Sequence, residues 1–301
     1  MSKIETRFEA QATNLKPKFV TLSSGIRVCY VEAGPPDAPA LLLTHGFLGS
    51  LQDWRYNTTA LAELSQSEAN FQPRRVIALD WVGFGLTDKP ATTYSLDYFA
   101  HFLKDFADRL GLQQFDLGGH SMGGKHNLAF AILYPQYVRK LVLSATDGFI
   151  QDPKWITQTT NWYFRPLAYL STVALAQPSV IRASLKPVFF DPKFLPDDEQ
   201  INEAALALHL PAYRASLRAL NRDYARLSMR QTGLINRVSE IKVPVQVFWG
   251  LQDHVLEVSN AEVAKQYLPH AEFHLFDNCG HCPHIERSEE FNRLVLEFLE
   301  K

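Results

Sequence analysis

The chain has 301 residues, 46% of them hydrophobic and 21% charged, with a formal net charge of −2. That composition supplies a substantial core and argues against global disorder, and its near-neutral balance gives no ground for a nucleic-acid or anionic-membrane partner. The amino terminus has no apolar h-region, no apolar run is long enough to span a bilayer, and three cysteines are too few for a disulfide scaffold, so a soluble cytoplasmic protein is expected.

In chain order, residues 18–22 and 26–31 read as a hairpin around Ser23-Ser24-Gly25. Continuous apolar runs follow at 40–44, 75–80, 115–117, 140–143, 245–249 and 273–276. Runs this short, without strict alternation, fit strands buried on both faces of a parallel sheet. Helical patterns lie between them, over 51–65, 95–110, 124–134, 259–268 and 286–299. Alternation of this kind after an antiparallel start predicts a mostly parallel α/β sheet. One interval breaks the rhythm: no good strand pattern occurs between Ser144 and Val245. Residues 152–234 are helical in tone and rich in aromatics, among them Trp155, Trp162, Tyr163, Phe164, Tyr169 and Tyr213. Pro166, Pro178, Pro187, Pro192, Pro196 and Pro211 cut the interval into short helices. It reads either as a helical layer buried on the core or as a cap over a site, and its place in the chain favours the cap. No internal repeat is visible.

Gly119-His120-Ser121-Met122-Gly123 fits the G-x-S-x-G nucleophile elbow, with a short strand before it and a helix after it. Such a turn holds the serine in strained backbone geometry, and Gly119 and Gly123 remove side chains that would block it. An acyl-transfer serine needs a base, an orienting acid and oxyanion donors. His281 follows the last strand and Asp253 lies just past the penultimate one, giving the chain order Ser121, Asp253, His281. The backbone N–H groups of Phe47, at the end of the third strand, and of Met122, just after the serine, are the expected oxyanion donors.

On these motifs, together with Asp80–Thr87 and the tail Glu286–Asn292, the chain resembles a capped, carboxylesterase-like serine hydrolase of the α/β-hydrolase fold over Lys18 to Lys301. The resemblance implies an eight-stranded, mostly parallel sheet flanked by helices, with a helical cap inserted after the sixth strand. The core would comprise residues 1–149 and 235–301, and the cap residues 150–234. It also implies hydrolysis through a covalent acyl-enzyme, with no cofactor and no metal. Epoxide hydrolases and haloalkane dehalogenases resemble the chain in the cap but need Asp as nucleophile, which Ser121 argues against.

Other residues take quieter roles. His120 is expected to be structural, His45 to brace the oxyanion loop, and Asp80 to hold its own loop through Gly85. Asp147, after the sixth strand, is a rival acid. His254 and His284 read as local hydrogen-bonding residues, and Trp54 and Trp81 as packing. Lys125, His126 and Asn127 depart from the small apolar residues usual after this elbow, which leaves either altered packing or polar groups near a pocket floor. Cys279-Gly280-His281-Cys282 matches the redox tetrapeptide of protein disulfide isomerases. It lies late in the chain, runs into Pro283 and has no second Cys-x-x-Cys half-site, which argues against a redox or metal role. Both thiols are expected to be free, because a disulfide closed across two residues would pull the His281 loop out of register.

The leading expectation is hydrolysis of small to medium carboxylic esters, with a small-molecule ester as partner and the oligomeric state unread. The alternative is a C–C bond hydrolase of the meta-cleavage type, a branch that often carries Asn where this chain has His120. A hydrolase-fold ligand receptor is a third reading.

Overall fold

The computed structural model describes residues 15–149 and 176–301. One eight-stranded sheet runs through it in the order β1-β2-β4-β3-β5-β6-β7-β8. The strands are β1 (Lys18–Thr21), β2 (Arg27–Ala33), β3 (Ala40–Thr44), β4 (Arg75–Leu79), β5 (Phe115–His120), β6 (Val138–Ser144), β7 (Val245–Gly250) and β8 (Glu272–Phe276). β2 pairs antiparallel with β1 and with β4; every other pair is parallel. β3, β5 and β7 are buried along their whole length. Their side chains divide between two cores, Leu42, Leu117 and Val247 on one face and Leu41, Leu43 and Phe248 on the other. Burial on both faces is why these strands read as apolar runs rather than alternating patterns.

Helices cover the sheet: α1 (Thr58–Ser67), α2 (Leu96–Arg109) and α3 (Met122–Leu133). Strand β5 runs three residues past its apolar run, through Gly118, Gly119 and His120. Glycine has low strand propensity, but Gly118 and Gly119 pair with both β3 and β6. A Cβ on Gly118 would stand 2.7 Å from Leu43 Cδ2, so the missing side chain makes room for β3.

Between β6 and β7 the described residues form α4 (Pro178–Leu185), α5 (Asp198–His209), α6 (Pro211–Arg222) and α7 (Tyr224–Leu227), with no strand among them. The prolines act as starts: Pro178 and Pro211 open α4 and α6, where proline's missing N–H costs nothing. Asp197 and Gln200 form a capping box on α5. Trp155, Trp162, Tyr163, Phe164 and Tyr169 lie outside the described residues. The insertion touches the core where Asp223 Oδ2 accepts the Tyr94 N–H at 2.9 Å and where the Phe84 and Tyr213 rings meet edge-on at 6.3 Å.

The chain closes with α8 (Ser259–Tyr267), α9 (Pro283–Glu286) and α10 (Ser288–Glu300). The helix expected over 286–299 is α10, which starts two residues later because Arg287, with φ −125° and ψ 38°, leaves the helical region and separates it from α9. No helix among the described residues is long and apolar enough to cross a membrane.

Candidate active site

The parallel strands end on one edge of the sheet, and the residues singled out in the sequence gather there. Ser121 joins β5 to α3 at φ 51° and ψ −118°. A non-glycine residue at that positive φ is strained and persists only where its surroundings hold it. Here the Ser121 N–H donates to Ser144 O at 3.0 Å, and Ser121 O accepts from Asp147 N at 3.1 Å and Lys125 N at 3.2 Å. Gly123 is obligatory: a Cβ there would stand 2.5 Å from His45 O and 2.6 Å from Thr44 O. Met122 opens α3, so its N–H has no partner in the helix's own ladder.

Asp253 and His281 are joined. Asp253 Oδ1 accepts the N–H groups of Val255 and Leu256, each at 2.8 Å. Its Oδ2 accepts from His281 Nδ1 at 2.8 Å. A carboxylate only accepts, so the bond places the imidazole proton on Nδ1 and leaves Nε2 free to take one. The His281 main chain is gripped on both sides: its N–H donates to Val188 O at 2.7 Å, and its carbonyl accepts from His120 Nε2 at 3.0 Å. Ser121 Oγ donates to no group among the described residues; such bonds are often long before substrate arrives.

The loop after β3 lies against the serine. A Cβ on Gly46 would stand 3.3 Å from Ser121 Cβ and 2.9 Å from His120 Nδ1. His45 braces this loop: its Nε2 accepts the Trp81 N–H at 3.1 Å and its Nδ1 donates to Gly46 O at 2.8 Å. Both nitrogens are thus committed to the neutral ring, and burial pushes its pKa down to about 4. Asp80 accepts from Leu51 N and Leu86 N, each at 2.7 Å, and a Cβ on Gly85 would overlap its carboxylate. Sequence reasoning missed Asp53, which accepts the Gly46 N–H at 3.3 Å and whose carboxyl burial raises to about 6. No motif marks it; only its place in the 3-10 turn Leu51–Trp54, just past the loop after β3, does.

Asp147, the rival acid, is engaged elsewhere. It accepts from Lys125 Nζ at 2.5 Å and from Gly148 N at 2.7 Å. The departures after the elbow lie in a helix buried all round. Besides that Lys125 pair, His126 stacks on Phe99 at 4.0 Å and Asn127 Oδ1 lies 3.2 Å from Thr44 Oγ1. Trp54 and Trp81 are fully buried, His284 is buried against Trp54 and His120, and His254 is exposed. Cys279 and Cys282 are buried, unpaired thiols, and burial pushes both pKa values up, which suppresses the thiolate that redox chemistry needs. No group of three or more His, Cys, Asp or Glu side chains among the described residues is placed to hold a metal ion.

Residues 39–288 match the alpha/beta hydrolase fold family. The chain belongs to that family. This hydrolase is similar to the 2-hydroxy-6-oxononadienedioate/2-hydroxy-6-oxononatrienedioate hydrolase of Paraburkholderia phymatum, with 31% identity over 94% of the chain and 95% of that protein. It is also similar to the 2-hydroxymuconate semialdehyde hydrolase of Pseudomonas putida, with 32% identity over 76% of the chain and 78% of the relative. Among solved structures, a bacterial membrane phospholipase A superposes with a TM-score of 0.76 at 26% identity, covering 98% of this chain and 89% of that one.

Proposed function

We propose that this hydrolase cleaves carboxylic esters of small to medium acyl chains through Ser121, His281 and Asp253. The observation that carries the reading is the 2.8 Å bond between Asp253 and His281 Nδ1, which leaves the other imidazole nitrogen as a base. In the first half-reaction His281 Nε2 takes the Ser121 proton as Oγ attacks the ester carbonyl. The N–H groups of Phe47 and Met122 receive the negative charge that develops on the carbonyl oxygen. His281 returns the proton to the departing alkoxide, leaving an acyl-Ser121 ester. Water then attacks the acyl ester, giving up a proton to His281, which passes it to Ser121 Oγ as the acid is released. The Asp253 carboxylate holds the tautomer throughout and stabilises the imidazolium.

The helical insertion, residues 150–234, is read as a cap over this site, supported by the Val188 bond to His281 and the Phe84–Tyr213 contact. C–C hydrolysis is the second reading. It is favoured by the 31% identity to a dienedioate hydrolase over nearly the whole chain. Substrates of that kind carry carboxylate groups, and two features speak for esters instead. A carboxylate, Asp53, holds the oxyanion loop at Gly46. Lys125, which the Asp147 bond ties to the elbow, is spent on Asp147, and Lys89 on three backbone carbonyls of the loop after β4. The test is kcat/KM on a p-nitrophenyl ester series beside a 2-hydroxy-6-oxo-dienoate. Ester turnover that exceeds dienoate turnover supports the first reading, the reverse supports the second, and no turnover of either leaves the ligand-receptor reading.

A further inference from the structure

Three hydrogen bonds converge on the Glu286 carboxylate from two stretches of chain far apart in sequence. Its Oε1 accepts the Gly280 N–H at 2.8 Å. Its Oε2 accepts the N–H groups of Phe190 at 2.8 Å and Asp191 at 3.0 Å. Gly280 immediately precedes His281, whereas Phe190 and Asp191 follow α4 in the insertion. The same two stretches are bonded a second time, by the His281 N–H on Val188 O at 2.7 Å. Contact between them is close: a Cβ on Gly280 would stand 2.7 Å from Val188 O and 2.8 Å from Phe190 N.

A buried carboxylate is costly unless its lone pairs are taken, and charge-assisted bonds to backbone N–H groups are among the stronger ways to take them. Glu286 has no part in the chemistry written above, and no side-chain cation among the described residues pairs with it. Its whole capacity goes to backbone that either carries the proposed base or belongs to the insertion.

We propose that Glu286 is a positioning residue that fastens residues 188–191 of the insertion to the base loop, so that His281 is held in its working orientation only while that segment is docked. The proposal rests on the reading of His281 as the base. Lifting residues 188–191 away from the core breaks the bonds to Glu286 and the bond to the His281 main chain together. Residues 188–191 are therefore pinned beside the base, and their docking and the orientation of the imidazole are one event.

Two variants of the full chain test this. Glu286→Gln keeps the shape but sets an NH2 group against at least one of the backbone donors. Gly280→Ala keeps the Glu286 carboxylate but wedges a Cβ against Val188, Phe190 and, at 3.0 Å, Glu286 Oε1. Amide hydrogen exchange at residues 188–191 and 280–281 is measured alongside kcat and KM on a p-nitrophenyl ester, with Glu272→Gln, at the start of β8 and paired with Lys301, as control. In either variant, exchange in both stretches is expected to accelerate together by about tenfold or more. The kcat is expected to fall by about 10- to 100-fold with KM nearly unchanged, the loss appropriate to a charge-assisted hydrogen bond. Faster exchange with unchanged kcat makes the contact a mere anchor and overturns the proposal. A fall in kcat with residues 188–191 unmoved overturns it equally. His281→Ala keeps the two failures apart: persistent hydrolysis there removes the base reading, and the proposal with it, whatever Glu286→Gln does.

Discussion

His120 Nε2 lies 3.0 Å from the carbonyl oxygen of His281. A carbonyl only accepts, so Nε2 carries the ring proton and His120 is the donor. The residue before the proposed nucleophile thus holds the backbone of the proposed base. Burial, with the neighbouring His284 and His281 rings, keeps its pKa well below the usual histidine range, so the neutral donor persists. His120→Phe preserves the ring packing and removes the bond. Its kcat is expected to fall about tenfold with KM little changed; an unaltered kcat would show that the bond does not position His281.

The two candidate acids separate by their partners, Asp253 on His281 and Asp147 on Lys125. Asp253→Asn should reverse the preferred imidazole tautomer and cost about a thousandfold or more in kcat. Asp147→Asn should lower thermal stability, by leaving the Lys125 ammonium without its carboxylate, and spare most of the activity. Steady-state kinetics and melting curves on both variants check this, and a larger kcat loss in Asp147→Asn would reassign the acid.

His126 gives a pH prediction with a definite sign. Burial first, then the Lys125 charge and His45, holds its pKa well below the usual histidine range. The native ring stays neutral where the unfolded chain takes up a proton. The stability tied to it is therefore fully present above about pH 6.5 and is lost as pH falls toward the native value. His126→Phe keeps an aromatic ring beside Phe99 but does not titrate. Below about pH 6.5 the wild type should lose about 1.4 kcal/mol per pH unit relative to the variant. Urea unfolding at about pH 7.5, 6 and 5 measures it, and parallel curves for the two proteins would contradict it.

Cys279 and Cys282 flank the proposed base as buried, protonated thiols. The double Cys→Ser variant should keep hydrolysis within a few-fold and lose any sensitivity to oxidant, since sulfur chemistry has no part in the mechanism. If it abolished activity while His281→Ala did not, the loop would be a redox site.

What the sequence revealed tracks what local residue type can encode. Strands such as Ala40–Thr44 were visible because burial on both faces demands unbroken apolar runs. The elbow was visible because Gly123 cannot carry a side chain against His45 O. Asp253 and His281 were visible from their places just past the last two strands and their order after Ser121, although the bond between them needed coordinates. The end of β5 was hidden because Gly118 and Gly119 have no intrinsic strand preference. Lys125, His126 and Asn127 stayed ambiguous because a helix buried all round loses its amphipathic period. Asp53 left no local signal, and the tail motif that holds Glu286 does not show what its carboxylate fastens: Phe190, one of its partners, is 96 residues away.

The central claim is that Ser121 is the nucleophile, and covalent labelling tests it most directly. Wild-type protein treated with a fluorophosphonate should gain one adduct that peptide mapping places on Ser121, with hydrolysis lost in step. Ser121→Ala should fold, as judged by circular dichroism, yet take no label and turn over no ester. Retained labelling or undiminished turnover in Ser121→Ala would contradict the account.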